Sequence, residues 1–172
     1  MSEEANGIYR FGDLLALARA SWVAQMEREL EKRGFAGYRR SDAATMRCLL
    51  AGPVPIGVLG AMLGVTRQAA RKVATALEQR GYAATRPDPD DARKVNIVLT
   101  AKGRRYARAV VTVVEQLNRE VAGRVASDRL AAADEVLRAV VVGEQYRALT
   151  DRVPRPALGV GAGAGKGRAA PA

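Results

Sequence analysis

The sequence predicts a mainly α-helical protein with a small β-hairpin wing, a winged helix-turn-helix flanked by N- and C-terminal helices. Three observations carry that prediction. From Val54 to Gly103 the chain reads as a short helix, a glycine turn, a second helix with a basic outer face, and two short strands. The charge is concentrated on that same stretch: residues 67–108 hold eleven Lys/Arg against four Asp/Glu, whereas residues 1–66 hold eight against seven and residues 109–151 five against seven. The apolar stripes before and after it are longer than a winged-helix core of some 50 residues can cover, so they either pack on one another or form an interface.

Each element follows from local patterning. Ile8, Phe11, Leu15, Ala18 and Trp22 recur at three- and four-residue spacing, continue through Met26 to Leu30, and predict an amphipathic first helix ended by Gly34 and Gly37. Ser41 suits the N-cap of a second helix running to about Ala51, where Gly52-Pro53 stops it. Pro55 suits the first turn of a third helix with Ile56, Leu59 and Leu63 inward, and Gly64 its C-terminal stop. Thr66 caps a fourth helix that runs to Arg80. A helical wheel centred on Ala70, Val73 and Leu77 leaves Arg67, Gln68, Arg71, Lys72, Thr75 and Gln79 on the opposite arc.

Tyr82–Arg86 and Val95–Leu99 alternate as strands, and the loop between them holds Pro87 and Pro89, which forbid helix. Arg93 and Lys94 sit where this loop returns, and Asp91 can bridge to Arg93 or accept loop amides. Thr100 caps a long helix that carries Arg104, Arg105 and Arg108 near its start, then Val110, Val113, Val114, Leu117 and Val121. A last helix from about Ser127 presents Leu130, Val136, Leu137, Val140, Val141 and Leu149. Residues 152–172 are mostly Gly, Ala and Pro with four cations and no apolar period, which predicts a disordered tail.

The pattern supports double-stranded DNA as partner. A basic block on a helix and hairpin of this shape is the electrostatic footprint that phosphate neutralisation requires. Arg can take guanine bidentately and Gln adenine, and residues near the N-terminus of such a helix reach base edges first. Arg67, Gln68 and Arg71 are therefore the base-reading candidates. Thr66, Lys72 and Thr75, with Arg86, Arg93 and Lys94 of the wing, complete the DNA-binding set, and Asp91 stiffens the wing.

Composition excludes much else. With no histidine and one cysteine, the chain lacks the commonest general base, the commonest metal ligand and any internal disulfide, so no catalytic or metal site and no cofactor are expected. Asp88, Asp90 and Asp91 do not make a calcium loop, because no glycine provides the sharp turn and Leu99 occupies the twelfth position. The acidic start Ser2-Glu3-Glu4 leads into no secretory signal, and the uncharged run Ala51–Thr66 is broken by prolines and glycines. A cytoplasmic protein without membrane contact is expected. Glycines between 159 and 165 mimic a dinucleotide fingerprint but follow no predicted strand.

Thr66 through Gly81, then Asp88-Pro89-Asp90-Asp91-Ala92-Arg93, and Leu99-Thr100-Ala101-Lys102-Gly103 after the second strand, resemble the winged-helix core of the multiple-antibiotic-resistance regulator (MarR) family. The resemblance extends over about Ile8 to Leu149. It implies a homodimer that binds a pseudopalindromic operator, with the fourth helix in the major groove, Arg93 as the wing arginine in the minor groove and Asp91 as its anchor. The interlocking terminal helices would be 8–33 and 101–149, around a winged-helix core at 54–103, in one domain spanning 1–151.

Two departures stand out. Ala92 occupies a position where the family often has an arginine. Thr85 occupies another, with Arg86 one place later, so that the Arg86 side chain points to the other side of the hairpin.

The function expected is a sequence-specific transcriptional regulator, a repressor relieved by a small effector. The resemblance implies a small aromatic effector in a cleft, and Phe11, Trp22 and Arg47 are the side chains that could line it. Two alternatives stay open: a winged-helix nucleoid or protein-interaction module that ignores sequence, and a regulator that senses oxidants through Cys48. Against the latter, Cys48 lies mid-helix beside Leu49 and Leu50, with only Arg47 nearby to activate it.

Overall fold

In a computed structural model the described residues are 10–89, 91 and 95–143. Ile8, Asp90, Ala92, Arg93, Lys94, Leu149 and the tail 152–172 lie outside them. The elements are α1 (Phe11–Glu31), α2 (Asp42–Leu50), β1 (Val54–Pro55), α3 (Ile56–Leu63), α4 (Arg67–Gln79), β2 (Ala83–Pro87), β3 (Val95–Leu99), α5 (Ala101–Ala122) and α6 (Ser127–Val140). They divide into two compact units, Met1–Arg119 and Glu120–Ala172.

The first unit holds the core. Met26 and Leu30 of α1, Met46 and Leu49 of α2, Leu59 of α3, Leu77 of α4, Ile97 of β3 and Tyr106, Val110 and Val113 of α5 are all buried together. The α1 stripe behaves differently from its periodicity. Only Met26 and Leu30 are buried and Trp22 and Val23 half-buried, while Leu14, Leu15 and Leu17 are exposed. A period identifies a helix and its apolar face, but it does not say how far along the helix the neighbouring core extends.

The wing is a three-stranded antiparallel sheet in the order β1-β3-β2, one strand more than the expected hairpin. The extra strand is two residues long, Val54 against Ile97 and Pro55 against Asn96. Pro55 accordingly stands at the N-cap of α3 in extended conformation, not in its first turn. β2 starts at Ala83 and takes in Pro87, which pairs with Val95. A proline at a strand end gives up no ladder bond that an interior residue would need to donate.

Caps explain most boundaries. Gly64 ends α3 in the left-handed region at φ 64°, which costs glycine no Cβ clash, and the Thr66 hydroxyl accepts from Ala69 N at 3.2 Å to start α4. The Thr100 hydroxyl accepts from Gly103 N at 2.9 Å and itself donates to Gly81 O at 2.7 Å, which starts α5 and ties it to the turn after α4. Ser41 takes the N-cap position of α2, but its side chain makes no cap bond. The neighbouring Asp42 carboxylate accepts from Arg39 N instead, at 3.1 Å.

Asp42 is also the centre of a network with no signature in the hydrophobic pattern. Its side chain is fully buried and receives both Arg80 Nη atoms at 2.8 Å, and the Tyr106 hydroxyl donates to its Oδ2 at 2.6 Å. Arg80 also donates to Gly37 O and Ala76 O, so its donors are spent on the loop before α2 and on its own helix. Tyr106 stacks on Tyr82 at 4.1 Å between ring centroids and meets Phe35 at a tilt. Burial, reinforced by the Asp42 carboxylate, holds the Tyr106 phenol well above its ordinary pKa; the bond to Asp42 keeps the Arg80 guanidinium charged. A buried ion pair is retained only when such hydrogen bonds satisfy both partners, and breaking one side typically costs ~3–5 kcal/mol.

The second unit contributes α6, which buries no residue and leaves Val136, Leu137 and Val140 exposed, with Arg138 paired to Asp134 at 2.7 Å. No helix among the described residues is long and apolar enough to cross a membrane.

Candidate nucleic-acid interface

α4 is strongly amphipathic. Ala70, Ala74 and Leu77 are buried and Val73 is half-buried, so the inner face is shifted slightly from a Val73-centred wheel toward Ala74. The small alanines let α4 lie close on α3. A Cβ placed on Gly60 of α3 would meet Ala70 Cβ at 3.5 Å and Val65 O at 3.1 Å. The outer face presents Thr66, Arg67, Gln68, Arg71, Lys72, Thr75 and Gln79, all exposed. None of the four polar or cationic side chains at 67, 68, 71 and 72 makes a hydrogen bond or ion pair to another described residue, which leaves their donors available to a partner. One helix therefore brings together all six recognition-helix candidates, at its N-terminal end and along one side.

The wing separates the other candidates. Alternation along paired strands puts Thr85 and Ile97 on one sheet face and Arg86, Asn96 and Val98 on the other. The Thr85 hydroxyl donates to Glu78 Oε1, which identifies the first face as the one toward α4. Arg86 is exposed and turned to the opposite face, away from the α4 set, as the one-residue displacement from Thr85 implies. Arg93 and Lys94 are among the residues not described.

The base of the wing is organised by Asp88. Its Oδ1 accepts from Asp91 N at 3.2 Å and its Oδ2 from Asn96 Nδ2 at 2.7 Å. Asp91, the residue expected to stiffen the wing, is thus held through its backbone by Asp88, an aspartate to which the sequence assigned no such role. Asp88 is two residues after Arg86 and precedes a proline, and that Asp-Pro sequence, a turn former, is the signal that could have found it. Asn96 is buried, and its Oδ1 accepts no hydrogen bond from another described residue.

The effector candidates are not gathered. Phe11 and Trp22 are half-buried on α1 and Arg47 is exposed on α2. A cavity of about 460 Å³ lies instead beside the end of α2 and the wing, and none of these three residues lines it. Cys48 is half-buried and packed against the core, as a small hydrophobe would be.

Comparison with known proteins bears on this geometry. Residues 36–94 match the model of the MarR family. The fold is similar to that of a probable transcriptional regulator from Pseudomonas aeruginosa, with a TM-score of 0.64 at 20% identity over 77% of this chain and 98% of the other. It is similar to the PcaV transcriptional regulator of Streptomyces coelicolor in complex with its natural ligand, at 0.63 and 20% over 81% and 96%. It is similar also to a cysteine-to-serine mutant of MarR from E. coli complexed with operator DNA, at 0.63 and 21% over 82% and 100%. No curated protein matches the sequence. The stretch that matches the family model runs from Ala36, ahead of α2, into the loop of the wing, and so takes in the exposed basic face of α4. Over residues 36–94 the winged helix-turn-helix of this chain is similar to that of the MarR family.

Proposed function

We propose that the protein is a homodimeric transcriptional regulator that reads a pseudopalindromic operator, α4 entering the major groove and the wing the adjacent minor groove. The observation that carries this reading is the single exposed face of α4, where Arg67, Gln68 and Arg71 have free donors and the opposite face is fixed in the core. Arg67, Gln68 and Arg71 read base edges, and Thr66, Lys72 and Thr75 hold phosphates. Arg93 and Lys94 serve the minor groove from the wing, with Asp91 behind them. Arg86, on the far sheet face, is assigned at most to the flanking backbone. The operator-bound E. coli MarR mutant supports DNA as the partner.

Dimerisation is assigned to the helices at 8–33 and 101–149, within a domain spanning 1–151, and the tail 152–172 to a linker. Repression relieved by a small effector is the regulatory mode favoured, supported by the ligand-bound state of the PcaV regulator. A redox role for Cys48 is not favoured, since the side chain is half-buried among apolar neighbours.

Selection of bound duplexes from a randomised pool, followed by fluorescence anisotropy against salt, tests the reading. Gln68→Ala is expected to lose ~1–3 kcal/mol at one base position only, and Lys72→Ala to weaken all sequences alike and flatten the salt slope by about one. A pool that yields no enriched sequence would favour the nucleoid-type alternative.

A further inference from the structure

Arg80 belongs by sequence to the basic stretch 67–108, yet its charge is turned inward. Only 17% of its side chain is exposed, and all three guanidinium nitrogens have partners. The two Nη atoms donate to the two Asp42 oxygens at 2.8 Å, one of them also to Gly37 O at 3.0 Å, and Nε donates to Ala76 O at 3.2 Å. The guanidinium lies 5.2 Å from the centroid of the Tyr82 ring, and Lys102 Nζ donates to Arg80 O at 2.9 Å. With Tyr106 on the same carboxylate, the end of α4 is fixed to the loop before α2, to α2 itself and to α5.

The remainder of the inner face of α4 gives no such direction. It is made by Ala70, Ala74 and Leu77, and burial of apolar surface is non-directional. Orientation matters most at the opposite end. α4 has 13 residues; at ~1.5 Å per residue its first turn stands about 20 Å from Arg80, and a tilt of about 10° displaces that turn by about 3 Å. Hydrogen bonds to base edges tolerate roughly 0.5 Å of displacement. Attraction to phosphates decays over ~8 Å at physiological salt. A tilt of this size therefore abolishes base reading and hardly alters the grip on the backbone. We propose that Asp42, Arg80 and Tyr106 are positioning residues for base recognition, which touch no DNA and set the pitch of α4 on which discrimination between sequences depends. The inference rests on the reading of α4 as the helix that enters the major groove, and it gives the clamp a part in specificity, separate from affinity.

Arg80→Lys tests it on the full-length protein, because lysine keeps the charge but cannot reproduce the two parallel bonds of the planar fork to Asp42. Residual dipolar couplings of backbone amides in the free protein report the orientation of α4 relative to α2 and α5. One defined orientation is expected for the parent, and an altered or averaged one for Arg80→Lys. Fluorescence anisotropy then compares the duplex enriched from a randomised pool with a scrambled duplex of equal length and composition. Arg80→Lys is expected to lower the preference for the enriched duplex at least tenfold, with the affinity for the scrambled duplex and its salt slope unchanged. The triple variant Asp42→Leu, Arg80→Met, Tyr106→Phe removes the polar partners together. It is expected to melt near the parent and to discriminate as poorly as Arg80→Lys, a separation that a purely stabilising role would not give. Should Arg80→Lys fail to fold, Tyr106→Phe, which leaves the ion pair in place, serves in both measurements with the same direction of change expected. Parent-like couplings in the single variant, or undiminished preference in both variants, would overturn the proposal. So would an equal loss for both duplexes with a flattened salt slope in the triple variant, since Arg80 would then be a phosphate contact. A parent that binds both duplexes alike would sink the reading of α4 and the proposal with it, whereas a discriminating parent with equally discriminating variants sinks the proposal alone.

Discussion

Tyr106 shows how one side chain can tie three elements together. Its ring lies between Tyr82 and Phe35 and its hydroxyl donates to Asp42, which in turn receives Arg80 from the end of α4. A phenol is neutral when protonated, so a folded pKa raised above the unfolded value of about 10 means that the native state keeps a proton the unfolded chain gives up. Stability from this source is complete below pH 10 and falls as pH rises beyond it; Tyr38 and Tyr82, also raised by burial, add to the same alkaline loss. Tyr106→Phe should cost ~1–3 kcal/mol at pH 7 through the lost hydrogen bond, and should make the decline above pH 10 shallower. Urea titrations from pH 7 to 11 measure both; an unchanged alkaline slope would show that Tyr106 ionises as freely in the fold as outside it. Little of this network was legible beforehand. Hydrophobic period finds stripes, whereas Asp42 is a lone charge at a helix start whose partners lie 38 and 64 positions away.

At the scale of elements, the sequence was legible where a local chemical rule sets the boundary. Thr66 and Thr100 cap where their hydroxyls reach forward, Gly64 takes the left-handed turn, and the basic face of α4 emerges as the wheel places it. It was illegible where the partner is distant. β1 has two residues, too few for any period, and exists because β3 offers it an edge. Gly103 is of the same kind. Nothing local requires glycine in the first turn of α5, yet a Cβ there would stand 1.7 Å from the Tyr82 carbonyl oxygen, which already accepts from Thr100 N. Gly103→Ala is therefore expected to push α5 off the β2 entry and to destabilise by more than the ~1–3 kcal/mol of ordinary overpacking. Thermal melting measures it, and a variant as stable as the parent would mean that the two backbones separate without cost.

For the whole molecule, the apolar residues left uncovered are the chief clue. Leu14 and Leu17 are 56% and 68% exposed in the first unit, and Val136, Leu137 and Val142 are 49%, 47% and 70% exposed in the second. An apolar helix side that faces water fits the dimerisation proposed above for these helices, which lie outside the basic stretch 67–108. Sedimentation is expected to give twice the chain mass, and the double variant Leu17→Lys, Leu137→Lys to give single chains with weakened operator affinity. A parent that sediments as one chain at every concentration would remove the dimer. The stripes themselves were readable from spacing, but their division into covered and uncovered halves depends on where the core stops. The Asp42–Arg80 clamp has a mechanical corollary. Because it ties the trailing end of α4 to α2 and, through Tyr106, to α5, a push at the leading tip of that helix is expected to be passed on to both elements rather than lost in a loose joint.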